Sequence, residues 1–221
     1  MFIASAFLGA VSELAFASPT TGNHFQLDKE NPWAAIISRT VTNLFPNSKF
    51  KWIENKSNQD SIAELEITEP LLPAISIKLK VMNSGPVNAF AMPANSAEEG
   101  SAQIILPQAI LETISSTSEL AFVLTHELSH IVRDHFAPEL PLAMLTESQR
   151  LHISKTHRNW ELQADSDAKF YLEQRGFDTS AGAKLLANIH DEATNSPTAN
   201  HPTLDHRIAA LAQELLPLRL K

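Results

Sequence analysis

Between residues 50 and 106 apolar and polar side chains trade places at short intervals, and beyond Pro107 the spacing lengthens to that of a helix. Residues 50–53, 62–67 and 75–81 read as strands, the last two with the alternation of a half-buried sheet. Residues 55–60 and Asn83-Ser84-Gly85-Pro86 punctuate them as turns. A short strand over 87–92, closed by Pro93, and another over 102–106 complete an expected small antiparallel sheet. Ser116-Thr117-Ser118-Glu119 has the form of a capping box ahead of the apolar-periodic run Leu120, Val123, Leu124, Leu128, Ile131, with Pro138 marking the far end of that helix. A second long helix is expected over 147–175, stopped by Gly176, with shorter ones over 180–191 and 204–216 and a polar, Pro/Asn-rich loop over 194–202. The pattern predicts an α+β domain in which a small sheet packs on one central helix.

Composition narrows the chemistry. A chain of 221 residues, 43% hydrophobic and 19% charged, is long enough to bury a core without disulfides. A net charge of −8 gives no electrostatic reason to bind phosphate backbones, so no nucleic-acid partner is expected. With no cysteine, a metal site must be built from histidine and carboxylate. Residues 1–17 are apolar and end in Ala15-Phe16-Ala17, the form of a signal-peptidase site. They lack Lys or Arg and contain Glu13, so an N-terminal helix packed on the domain is the competing reading. The expected organisation is a signal peptide or N-terminal helix over 1–17, then a single domain over 18–221 that is exported to the periplasm or secreted. No other run approaches the ~20 apolar residues of a bilayer span, although the apolar stretch 138–145 suits a lid, a membrane-surface contact or core.

His126-Glu127-Leu128-Ser129-His130 is an H-E-x-x-H motif within the predicted central helix. Residues four apart on a helix share a face, so both imidazoles meet one zinc ion while Glu127 stands beside the open position as a general base. A catalytic zinc takes a third protein ligand. Glu161 and Asp165 share one face of the second long helix, so one is free to ligate while the other accepts a hydrogen bond from a ligand imidazole. Ala164 and Ala168 beside them point to close helix packing. His135, five residues past His130, is turned away from the metal face on a continuing helix and reads as structural. His24, His152, His157, His190 and His206 have no partner spacing.

These motifs, with Asn88-Ala89-Phe90-Ala91-Met92-Pro93 before them and His201-Pro202 and Arg207 after, resemble the HtpX-like and CAAX-prenyl-protease-like gluzincin peptidases over residues 86–212. The resemblance implies a zincin-like fold and one Zn2+ per chain on His126, His130 and Glu161. Glu127 is then the general base and Asp165 a support for a ligand. It also implies that the strand Asn88, Ala89, Phe90, Ala91, Met92 pairs with the backbone of a polypeptide substrate. His201 is expected to cap the zinc at rest or to stabilise the oxyanion, and Arg207 to support the ligands or anchor the last helix. Ser129 stands where similar sequences more often have Gly, and the transmembrane helices of the integral-membrane members are absent. The function expected is a zinc metalloendopeptidase acting on unfolded or misfolded protein. Its rival is a zinc-stabilised, chaperone-like binding module without turnover, against which Glu127 counts because metal binding alone does not need it.

Overall fold

The computed structural model of the chain describes residues 33–53, 60–70, 72–94, 100–136, 146–189 and 202–213. Five strands, β1 (Lys49–Ile53), β2 (Ser61–Ile67), β3 (Ile75–Met82), β4 (Phe90–Met92) and β5 (Ala102–Pro107), form one sheet in the order β1-β2-β3-β5-β4. The helices are α1 (Ala34–Leu44), α2 (Gln108–Thr113), α3 (Thr117–Val132), α4 (Glu147–Gln174), α5 (Ala181–Asn188) and α6 (Leu204–Ala212). The α+β class is as expected. Residues 1–17, His201, the turn over 55–59, the stretch 138–145 and most of the loop over 194–202 lie outside the described residues.

The sheet departs from the expected antiparallel form. β1, β2 and β3 are antiparallel neighbours, but β5 runs parallel to β3, with Leu79 opposite Ile104 and Val81 opposite Leu106. After β3 the chain crosses to the outer edge as β4, then reverses and inserts β5 between them. This puts Ile104 and Leu106 at the middle of the core and leaves three-residue β4 at the edge. Of the expected strand 87–92, only Phe90–Met92 keeps strand form, and Asn88 and Ala89 lead into it.

Leu65, Ile67, Ile77, Leu79 and Ile104 line one face of the sheet and meet Val41 of α1, Phe45 at its end, and Leu124 and Leu128 of α3. Each fully buried Leu or Ile contributes roughly 1.5–3 kcal/mol of transfer free energy. The opposite face carries Glu64 and Glu66 in the open, with Lys49 bonded across the ladder to Glu66 at 2.9 Å. Helix α1 lay outside the sequence reading, although Ile37, Val41 and Leu44 recur at helical spacing and are buried.

Helix α3 is buried on every side from Glu119 to Ser129, because the sheet lies on one flank and α4 and α5 on others. Its start keeps half of the expected capping box: Ser116 Oγ accepts from the Glu119 backbone N–H at 3.2 Å. The Glu119 carboxylate instead accepts from the backbone N–H and hydroxyl of Ser115. The helix ends at Val132, well before Pro138, through a turn in which Asp134 adopts φ 54°. Thr146 and Gln149 form a complete capping box at the start of α4. The end of α4 is tied back to the sheet by Arg175, which donates to the buried Glu69 carboxylate at 2.6 Å.

Candidate metal centre

Burial of α3 decides the character of the site, since His126 and Glu127 sit on a helix whose surroundings exclude water. His126 and His130 lie one turn apart with their Nε2 atoms 3.2 Å from each other. Glu161 comes from α4, its Oε2 at 3.7 Å from His126 Nε2 and its Oε1 at 3.5 Å from His130 Nε2. Ligand atoms of all three lie within 4.8 Å of one another. Zinc bonds of ~2.0–2.1 Å in a tetrahedron require donor separations of roughly 3.3–3.4 Å, and the contacts straddle that value.

Charge in the pocket also favours a cation. Burial pulls the His126 pKa down, but hydrogen bonds and charge from Asp165 and Glu161 outweigh it and hold it at about 10. Burial and then the charge of His126 push His130 down to about 3. Two imidazoles and a carboxylate in a nearly dry pocket that favours positive charge fit zinc, and these three residues would hold it.

Asp165 and Arg207 flank the donors. Asp165 Oδ1 lies 3.0 Å from His126 Nδ1, with the contact bent away from ideal hydrogen-bond geometry. Arg207, from α6, grips the same carboxylate with Nη2 to Oδ1 at 2.6 Å and Nε to Oδ2 at 2.8 Å, and its Nη1 lies 3.3 Å from Glu161 Oε2. Burial would raise the Asp165 pKa, yet Arg207 and His126 bring it below its ordinary value. Arg207 thus links α6 to α4 and bonds the two acidic groups beside the histidines.

Glu127 lies beside the donor set, and its pKa is pushed up to about 7 by burial, with the His126 charge opposing and Glu161 assisting. The backbone of Ala91 hydrogen-bonds the Glu127 carboxylate, so the edge strand touches the expected base. Phe90 is exposed and Ala91 and Met92 half-buried, Asn88 is exposed, and Ala89 is covered.

Two neighbours, Asp167 and Trp160, were given no role from the sequence. Asp167 accepts from the Ser129 hydroxyl at 2.6 Å and from Arg133 Nη2 at 2.8 Å, pinning the end of α3 to α4. Trp160 stacks on both His135 and His157. The expected outward turn of His135 is also overturned: because α3 stops at Val132, the Asp134 turn swings the ring back, and His135 Nδ1 lies 3.3 Å from His130 Nδ1. Burial and then Arg133 lower the His135 pKa, which keeps that ring neutral near pH 7.

An H-E-x-x-H helix joined by a glutamate from a second helix is the arrangement that the resemblance to gluzincin metallopeptidases implies. Residues 48–148, which include His126, Glu127 and His130, match the model of Peptidase family M48. The chain is 26% identical over 187 residues to the mitochondrial metalloendopeptidase OMA1 of Arabidopsis thaliana, covering 74% of this chain and 36% of that protein. It is 23% identical over 139 residues to the mitochondrial metalloendopeptidase OMA1 of Bos taurus, covering 59% of this chain and 25% of that protein. The matched region thus spans only a quarter to about a third of the length of these curated relatives.

Proposed function

We propose that this chain is a zinc-dependent metalloendopeptidase that cleaves unfolded or misfolded polypeptide, with His126, His130 and Glu161 as ligands and Glu127 as general base. The observation that carries the reading is the meeting of three separate elements at one buried point: the α3 histidines, Glu161 of α4 and the edge strand β4. The match of residues 48–148 to the model of Peptidase family M48 supports it.

Bound by His126, His130 and Glu161, zinc would supply Lewis acidity, the chemistry that lowers the pKa of a water and polarises a carbonyl. Glu127 takes a proton from the attacking water and returns it to the leaving amine. Arg207 and Asp165 hold His126 and Glu161 in place. Strand β4 ends the sheet, and an extended substrate adding along Phe90, Ala91 and Met92 is brought beside Glu127, with Asn88 and Ala89 at its entrance. His201 remains a candidate for capping the metal or stabilising the oxyanion. Residues 18–221 form one peptidase domain in this reading, with 1–17 as a signal peptide or N-terminal helix and export to the periplasm or outside the cell. Both curated relatives are named as mitochondrial. Among the described residues no helix is long and apolar enough to cross a membrane.

The test is zinc content and casein hydrolysis for wild type and Glu127→Gln. One zinc per chain in both, with the variant slowed roughly 10²–10⁴-fold, is the expected result. Zinc in both with cleavage by neither favours the chaperone-like binding module, and no zinc in either overturns the assignment.

A further inference from the structure

The end of α3 is built to return His135 to the active helix. Asp134 takes the left-handed conformation at φ 54°, and its N–H donates to Ile131 O at 3.2 Å while the His135 N–H donates to His130 O at 2.9 Å. That pair of bonds is a Schellman turn. It brings the two Nδ1 atoms to 3.3 Å, and Trp160 holds the His135 ring in a stack with centroids 5.1 Å apart and planes 10° apart. Gln163, also on α4, hydrogen-bonds the His135 side chain.

A neutral imidazole carries a hydrogen on one nitrogen and a lone pair on the other. His130 turns Nε2 towards His126 and Glu161, so to ligate through that atom it must carry its hydrogen on Nδ1, and that hydrogen needs an acceptor. For His126 the corresponding nitrogen faces Asp165. We propose that His135 is a positioning residue for the metal centre, accepting the His130 Nδ1 hydrogen on its own Nδ1 and so fixing the tautomer and ring orientation of that ligand. With Nδ1 as acceptor, His135 carries its hydrogen on Nε2, the ring atom left to Gln163, and the stack on Trp160 keeps the lone pair aimed. The two ligand histidines are thus held by different chemistry, a carboxylate behind one and a neutral imidazole behind the other.

This inference rests on the zinc reading above, and the experiment separates the two. Zinc affinity by chelator competition and metal-free thermal stability are measured for wild type, His135→Phe and His135→Gln. Phenylalanine keeps a flat ring against Trp160 without an acceptor, whereas glutamine keeps an acceptor without the ring. The expected result is a 10–100-fold loss of zinc affinity for phenylalanine at near-native metal-free stability, with glutamine recovering most of it. Wild-type affinity in both variants overturns the inference alone, as does a loss in both that only follows lost metal-free stability. A wild type that takes up no zinc overturns the inference together with the reading beneath it.

Discussion

Arg207 and Asp165, separated by 42 residues in sequence, meet through two charge-assisted hydrogen bonds of 2.6 and 2.8 Å, with side chains 12% and 2% exposed. The pair ties α6 to α4 directly behind His126. Removing one partner of a buried pair strands the other charge, so Arg207→Met is expected to cost about 3–5 kcal/mol of stability and to weaken zinc binding. Arg207→Lys keeps the charge but loses the fork and is expected to fall between. Urea unfolding of the metal-free protein together with zinc competition checks this; a loss below about 1 kcal/mol for the methionine variant would remove the pair from the support of the site.

Close approach of α3 and α5 depends on Gly182. A Cβ there would collide with three ring atoms of Phe122, which is buried one turn before His126. Gly182→Ala is expected to destabilise by roughly 1–3 kcal/mol through overpacking. Phe122→Leu in the same chain should recover part of that loss, giving a coupling between the two changes in a double-mutant cycle.

The candidate metal site was legible because its signals are local: His126 and His130 share a face by helical arithmetic, and Glu161 and Asp165 do the same. What escaped depends on where chains meet. Alternation in 62–67 and 75–81 is the same whether neighbours run parallel or antiparallel, so the insertion of β5 beside β3 left no mark in the pattern. His135 was misplaced because a helix was assumed to continue, and Asp134 ended it with a turn usually made by glycine. Arg207 was visible as a residue, but its grip on Asp165 is a product of α6 folding back over α4.

Asp178 supplies a pH-dependent contribution outside the site. Its carboxylate accepts from the Lys184 ammonium at 2.7 Å and from the Ser180 N–H and hydroxyl at 2.9 and 2.6 Å, and these contacts, Lys184 first, hold its pKa at about 2 against an ordinary 3.8. A pKa lower in the folded state gives stability that is present above 3.8 and lost as pH falls towards 2. The side chain is 47% exposed, so screening limits the effect to about 0.5–1 kcal/mol. Asp178→Asn should therefore be less stable than wild type at pH 7, and the difference should close between pH 4 and pH 2 in denaturant titrations.

Asp134 gives a prediction of opposite sign. A left-handed φ of 54° disfavours any residue with a Cβ, by roughly 1–2 kcal/mol for most side chains and less for Asp, and glycine removes that penalty. Glycine also adds freedom to the unfolded chain, which offsets part of the gain. Asp134→Gly is expected to leave stability equal or up to about 1 kcal/mol higher, with zinc affinity unchanged, because the turn that carries His135 is preserved. A β-branched residue fits that conformation worst, so Asp134→Val should lower stability by about 1–2 kcal/mol and weaken zinc binding together, as the His135 ring leaves its place behind His130. Thermal unfolding and chelator competition on the two variants decide the matter. If valine lowers stability yet leaves zinc affinity intact, the turn matters to the fold and has no part in holding the ligand.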